Sequence, residues 1–398
     1  MNPAIANAGA RLLRLAARVR GKPLDFEPVV RLLGMRPFAR RFYGALIDAN
    51  GASFADVDET IGRIHSLKPE VWTTEWRVTA QRFDRAGRDA AALGRGVSAV
   101  ELLTRASTYY RFAEMTILAD TSEREELQAA AVGAYLLAGR FMDPPLQRVC
   151  LPVNGIEVPA YLRVPRSPAA PPVALIVPGL GMVKEHGDFP DTVLLQRGVA
   201  TLTVDLPGQG ESRALLPMTR DNGVGVVQAG IDFLMRREDV DHERLGLVGT
   251  SLGAGAAMLA AAGDRRVKAM VEIAGFYYPT AWWHLFPENI KEFLRYVIGA
   301  ADQAELLGIV APINLRGVVE RIDCPLLIVH GGCDQIVLFG ESDLIYAEAG
   351  PAKERLTFPL GDHACVNIGE ARPMIGDWLA EKLGVRAENH ARPSVEQL

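Results

Sequence analysis

The chain has 398 residues, 49% hydrophobic and 23% charged, with a net charge of −5. That length exceeds the roughly 100–200 residues of one typical domain, so two units, or one core with insertions, are expected. The mild acidity, with a pI near 5.9, lacks the strong basic excess of a nucleic-acid binder. Cys150, Cys324, Cys333 and Cys365 lie far apart with no C-x-x-C pair. They read as reduced thiols of a cytoplasmic protein, with one disulfide left open. No run approaches the roughly 18 apolar residues of a membrane span. No His, Asp or Glu spacing suggests a metal site, so no cofactor is expected.

Residues 1–20 read as a basic amphipathic arm. The N-terminal MNPAIANAGARLLRLAARVRGK carries four arginines and no acid, with its charges within and after the apolar stretch. A secretory signal places them before it, so an amphipathic helix packing on this protein or on a partner subunit is predicted. Residues 21–145 show helical periodicity, as in DVDETIGRIHSLKPEVWTTEWRVTAQRFDRAGRDAAALG. Ser98 with Glu101, and Ser122 with Glu125, predict capping boxes. Trp72, Trp76, Tyr109, Tyr110 and Phe112 predict a helical core. The two adjacent tyrosines cannot both face it, so Tyr109 stands as a candidate substrate contact.

The pattern changes after DPP at 143–145. RVCLPVNGIEVPAYLRVPR has two alternating runs around Asn154-Gly155, the signal for a hairpin. VALIVPG, VATLTVDLPG, RLGLVGTS, VKAMVEIAG, PLLIVHGG and RLTFPLGDH are apolar runs separated by helical stretches. They predict a mostly parallel sheet covered on both faces, with the hairpin antiparallel at one edge and ligands bound at the carboxyl ends of the strands. The polar tail, 386–398, is predicted to be disordered.

Gly249-Thr250-Ser251-Leu252-Gly253 matches G-x-S-x-G between a strand and an Ala/Gly-rich helix, the setting of a nucleophile elbow. An elbow requires an acid and then a histidine later in the chain, each after its own strand. Asp334 follows PLLIVHGG and His363 follows RLTFPLGD. A neutral imidazole suits removal of the Ser251 proton, and a carboxylate holds the other ring nitrogen. Asp362 is an alternative orienter by type, but its adjacency to His363 favours Asp334. His330 reads as a structural residue. The oxyanion hole is expected from the N–H of Leu252 and from the VPGLGMVKE loop, with Leu180 as first choice and Gly181 as second. Glu185, ending that loop, is a candidate substrate contact. Phe276, Tyr277, Tyr278, Trp282, Trp283, His284 and Phe286 form the densest aromatic cluster. Residues 276–318 would be a lid insertion, with Tyr277, Trp282, Trp283, His284 and Phe286 as a wall for a flat or bulky apolar substrate. An aromatic hinge between the two halves is the plainer reading of that cluster.

With these motifs placed, residues 146–385 resemble the α/β-hydrolase superfamily. EWRVTAQRFDRAG, SAVELLTRASTYYRFAE, VPGLGMVKE, DLPGQGES, HGGCDQIV and GDHACVN carry a narrower resemblance. They are similar to the group holding 2,6-dihydroxypseudooxynicotine hydrolase, the fermentation–respiration-switch (FrsA-like) esterases and the fungal chain-shortening hydrolase of the yellowish-green pigment pathway. The resemblance implies an α/β-hydrolase fold, with an all-helical N-terminal domain over 21–145 acting as lid and dimerisation unit, and a homodimer. It also implies Ser251 as nucleophile, Asp334 as acid and His363 as base. The pyridine-acting member adds an acid after the sixth strand. Here that stretch reads AGFYYPTAWWHLFPENIKEF; Glu288 is nearby without matching it, a departure from the group.

The expected activity is that of a serine hydrolase cleaving a carbon–carbon bond next to a ketone in an aromatic or polyketide-like small molecule. A carboxylesterase acting on small or aryl esters is the alternative. A cyclase or acyl transferase using the same residues is a further one. Covalent attack by Ser251 and direct activation of water by His363 both remain open. Neither nucleic acid nor a membrane span enters.

Overall fold

A computed structural model describes residues 27–35, 52–185, 191–281, 283–286 and 288–385. The expected arm over 1–20, Trp282 and the tail over 386–398 lie outside the described residues. After a short helix α1 (Glu27–Leu33), four helices follow: α2 (Phe54–Arg63), α3 (Pro69–Ala92), α4 (Gly96–Glu114) and α5 (Ser122–Gly139). Pro69 separates α2 from α3 because it occupies the first helical position, where its missing N–H costs no hydrogen bond. The expected capping boxes are displaced. Arg95 precedes α4, so Ser98 lies inside that helix. Thr121, not Ser122, caps α5, accepting from the Arg124 N–H at 3.3 Å. Trp76, Leu103, Tyr109 and Phe112 are buried at the centre of these helices, with Trp76 and Phe112 edge to face at 4.8 Å.

The remainder is one eight-stranded sheet in the order β1-β2-β4-β3-β5-β6-β7-β8. Its strands are β1 (Gln147–Val153), β2 (Ile156–Arg163), β3 (Pro172–Val177), β4 (Ala200–Val204), β5 (Asp241–Thr250), β6 (Val267–Ile273), β7 (Leu326–Gly331) and β8 (Lys353–Phe358). The pair β1–β2 is the antiparallel hairpin that the Asn-Gly signal predicts; Asn154 and Gly155 both have positive φ, at 51° and 80°. β2 joins β4 antiparallel, and every later pairing is parallel. β3, β4 and β7 are buried along their whole length, as strands covered on both faces require. One face packs against α6 (Arg220–Leu234) and α7 (Leu252–Ala261), the other against α11 (Ala371–Lys382). Between β6 and β7 the chain leaves the sheet through α8 (Glu288–Ile298) and α9 (Gln303–Val310), and α10 (Phe339–Glu348) follows β7. Among the described residues no helix is long and apolar enough to cross a membrane.

The small residues around Ser251 are dictated by backbone contact. A Cβ on Gly253 would lie 2.2 Å from the Val177 carbonyl oxygen and 2.4 Å from that of Pro178. One on Gly249 would lie 2.6 Å from the Ala254 Cα. Neither partner is a flexible side chain, so neither can give way. Gly255, two residues further along the helix, has its nearest neighbour at 3.6 Å, an ordinary contact. Gly253→Ala is therefore expected to lose about 3 kcal/mol or more through overpacking. Gly255→Ala should gain up to about 1 kcal/mol from helix propensity. Urea unfolding of the two variants checks this; matching midpoints would refute the packing account.

Candidate active site

Ser251 joins β5 to α7 with φ 52° and ψ −117°, a conformation that side chains rarely adopt. Its N–H donates to the Ile273 carbonyl at the end of β6 (2.8 Å), and its own carbonyl accepts from Ala254 and Gly255 in the first turn of α7. The turn is thus tied to the neighbouring strand and to the following helix. Leu252 opens α7, where an N–H has no acceptor within the helix. Ser251 Oγ makes no hydrogen bond among the described residues, to His363 or to any other group. Catalytic hydrogen bonds are often loose before substrate binds.

Asp334 and His363 meet. The His363 Nδ1–H donates to Asp334 Oδ2 at 2.8 Å, and Asp334 Oδ1 accepts from the Ile336 and Val337 N–H groups at 2.8 and 2.9 Å. The carboxylate is fully buried while the imidazole keeps 24% of its surface exposed, so Asp334 is held from below and His363 faces outward. His330, at the end of β7, donates from Nε2 to the Val337 carbonyl (2.9 Å) and lies 3.6 Å from Asp334 Oδ2. Burial lowers its pKa, so it stays neutral beside the acid. Asp362 closes a turn with Asn367 and is not the partner of His363.

The loop after β3 runs against the serine. A Cβ on Gly179 would stand 3.0 Å from the Thr250 carbonyl oxygen and 3.1 Å from the Ser251 Cβ, so a side chain there would press on the serine turn. The Met182 N–H donates back to the Gly179 carbonyl (3.2 Å), closing a turn in which Gly181 has φ 79°. Leu180 lies at its tip. Gly181 is withdrawn as an oxyanion donor: its N–H donates to the Gln209 side-chain oxygen.

Three candidate substrate contacts are committed elsewhere. Tyr109 is fully buried in the helical core and its hydroxyl donates to Asp56 at 2.7 Å. Both adjacent tyrosines find room: Tyr110 donates to Asp84 from another side of the helix. Glu185 is buried against the Lys184 ammonium (2.8 Å) and the Tyr161 hydroxyl (2.9 Å). The Tyr277 hydroxyl donates to Glu348 on α10, and the Tyr277 and Tyr278 N–H groups donate to Glu341. Trp283 and Phe286 are buried and pack together at 5.4 Å, with Phe276 against Phe286 at 5.7 Å; His284 is exposed. Phe293 on α8 went unnoticed in the sequence. Its ring edge is 3.0 Å from where a Gly181 Cβ would be, so α8 packs over the loop after β3. The apolar stripe Ile290, Phe293, Leu294 and Val297 was the available signal.

Glu272 was also missed. It pairs with Gly249 across β5–β6 and is completely buried. Oε2 accepts from the Gly275 N–H at 2.8 Å, and Oε1 has no partner among the described residues. Burial pushes its pKa up to about 8, so the group is mainly a neutral acid near pH 7. Among the described residues no cluster of three or more His, Cys, Asp or Glu side chains could hold a metal ion.

The chain matches a family model described as esterase FrsA-like over residues 47–278, and one for the prolyl oligopeptidase family over 189–384. It is 31% identical to 2,6-dihydropseudooxynicotine hydrolase of Paenarthrobacter nicotinovorans, over 86% of this chain and 91% of that one. It is 27% identical to 20-hydroxy-prefusarin hydrolase of Gibberella moniliformis, over 92% and 93% of the two chains. The crystal structure of 2,6-dihydroxy-pseudo-oxynicotine hydrolase superposes with a TM-score of 0.78 at 29% identity, covering 86% of this chain and 95% of that one. The structure of AbyA5 shares the fold, with a TM-score of 0.69 at 20% identity over 87% and 95% of the chains.

The buried acid makes a stability prediction with a definite sign. The folded pKa of Glu272, about 8, is raised above the ordinary 4.5 of a glutamate. Its contribution to stability is complete below the unfolded value and is lost as pH rises toward the folded one. Glu272→Gln keeps the acceptor for Gly275 and removes the titration. At about 1.4 kcal/mol per unit, the variant should gain on wild type by about 4 kcal/mol between pH 4.5 and 8, then level off. Urea unfolding across that range tests it; a constant difference would mean that Glu272 titrates normally.

Proposed function

Because this chain belongs to the FrsA-like esterase family and is an α/β-hydrolase-fold hydrolase, we propose that it uses Ser251, His363 and Asp334 to cleave a carbon–carbon bond next to a ketone. The substrate would be an aromatic or polyketide-like small molecule. The observation that carries the reading is the Asp334–His363 hydrogen bond, 2.8 Å long, following a serine on a strained strand-to-helix turn. Relatedness to a carbon–carbon hydrolase over most of the chain supports the bond type.

In this mechanism His363 Nε2 takes the Ser251 proton as Oγ attacks the ketone carbon. The carbonyl pair moves onto oxygen, which the Leu252 and Leu180 N–H groups stabilise. On collapse the carbon–carbon bond breaks, and the departing carbanion takes its electron pair onto an adjoining ring or second carbonyl and is protonated by His363. Water, deprotonated by the same imidazole, then attacks the acyl-serine ester; the bond to Oγ breaks, the imidazolium returns its proton to Ser251, and the acyl group leaves as a carboxylate. Trp283, Phe286 and Phe293 supply the apolar wall. The family's esterase description supports a second reading, a carboxylesterase using the same groups on a better leaving group.

A fluorophosphonate probe is expected to modify wild-type protein on Ser251 alone. Ser251→Ala should abolish labelling and lower turnover by at least about 10³-fold, as loss of the nucleophile does in such triads. Asp334→Asn should lower kcat by about 10⁴-fold while retaining the fold. Aryl β-diketones and acylated phenolic ketones, assayed beside p-nitrophenyl acetate and butyrate, decide the bond. Cleaved ketones with slow ester turnover favour the carbon–carbon hydrolase, and intact ketones with rapid ester turnover favour the esterase. Wild-type activity in Ser251→Ala would end both readings.

A further inference from the structure

The oxyanion loop is held by a side chain to which the mechanism above gives no part. Gln209 lies in the turn after β4, which neighbours the loop after β3 because those strands pair in parallel, Ile176 beside Thr203. It is 4% exposed. Its Oε1 accepts from the Gly181 N–H and its Nε2 donates to the Gly179 carbonyl at 3.3 Å. One partner is a donor and the other an acceptor, so the amide can sit only one way round. A second clamp holds the far end of the same loop: Asp205 Oδ1 accepts from the Lys184 N–H and Oδ2 from the Lys184 ammonium, both at 2.8 Å.

We infer that Gln209 is the positioning residue of the oxyanion hole, fixing the 179–181 turn so that Leu180 alone presents an N–H from this loop to the substrate oxyanion. The inference rests on the proposed Ser251 chemistry. Gly181 has positive φ, and glycine resists peptide rotation less than any other residue. Without the side-chain amide, the Leu180–Gly181 peptide can rotate, and the Gly181 N–H competes with that of Leu180 for negative charge. Occupying the Gly181 N–H and anchoring the Gly179 carbonyl removes that freedom before substrate arrives. Preorganisation of this kind separates an oxyanion donor that speeds reaction from one that must first be turned into place. Gln209 touches no reacting atom and acts only through the loop.

Two variants test it. Gln209→Met keeps the volume and loses both hydrogen bonds. Gln209→Glu keeps the acceptor for Gly181 and, when ionised, turns an acceptor toward the Gly179 carbonyl. On p-nitrophenyl butyrate, Gln209→Met is expected to lower kcat about 20-fold with KM within about threefold, a fraction of the 10²–10³-fold that removal of an oxyanion donor costs. Its inhibition by a trifluoromethyl ketone, which forms a tetrahedral oxyanion on a serine, should weaken by the same factor. Gln209→Glu should lose at least as much at pH 8 and recover part of it as the pH is lowered, relative to wild type, because the protonated carboxyl donates to Gly179 again. A wild-type kcat in Gln209→Met overturns the inference. So does a Gln209→Glu deficit that does not depend on pH, which also decides the matter if Gln209→Met does not fold. Failure of wild-type Ser251 to react with a fluorophosphonate would overturn the underlying chemistry as well. Labelling with unimpaired Gln209 variants overturns the positioning role alone.

Discussion

The catalytic half is organised around a serine held at φ 52°. Such a backbone costs of order 1–3 kcal/mol and persists only where the surroundings leave no other course. Here the Ser251 N–H is fixed to Ile273, the Gly253 position is pressed against the end of β3, and the Gly179 backbone closes over the side chain. All three contacts involve the backbone, and two of them depend on a glycine's missing side chain. The parallel sheet makes this possible: β3, β5 and β6 end side by side, and each contributes one of the contacts.

Buried charge fixes the next layer. The Lys184 ammonium is 2.8 Å from each of Glu185, Asp205 and Glu211 and is itself completely buried. Burial opposes its charge, but the carboxylates outweigh that and hold its pKa above the ordinary lysine value. Breaking a buried pair leaves an uncompensated charge at about 3–5 kcal/mol, whereas exposed ion pairs contribute about 0–1. The cluster therefore cannot rearrange at modest cost, and it fastens the loop after β3 to the turn after β4. The same turn reaches the helical half. Arg213 donates to Asp120, beyond α4, at 2.6 Å, and to the carbonyls of Gly208 and Tyr296 at 3.2 and 3.1 Å. The Tyr296 hydroxyl, on α8, also donates to Asp120 at 2.9 Å.

These relations explain which features the sequence disclosed. The hairpin and the parallel strands were legible because turn chemistry and continuous apolar runs are local signals. The Asp334–His363 meeting was legible because strand order in this kind of sheet brings successive carboxyl ends together. The capping residues were misplaced by one or more positions because several polar residues near each helix start fit the same pattern. Glu185 and Tyr109 were misjudged for a different reason. A charged or hydroxylated residue beside a glycine-rich loop or in an aromatic pair looks available, and only the fold reveals Lys184, Tyr161 or Asp56 already engaged with it. Gln209 left no such signal, since a glutamine between two glycines has no distinctive period. Its partners are main-chain groups nearly thirty residues away.

In the proposed chemistry, the rigidity of the loop after β3 matters at whichever barrier limits the rate. When an alkoxide or phenoxide departs, the tetrahedral adduct collapses forward readily, and the barrier that counts is its formation, where charge is already developing on oxygen. A carbanion departs slowly, so the adduct returns to the ketone many times for each forward passage, and the barrier that counts is the second one. At that barrier part of the charge still resides on oxygen. Each N–H aimed there lowers it, and does so more strongly where water is kept out. Under the proposed chemistry, Phe293 over Gly181, the α8 helix tied through Tyr296 to Asp120, and Gln209 beneath the loop would all bear on that one requirement.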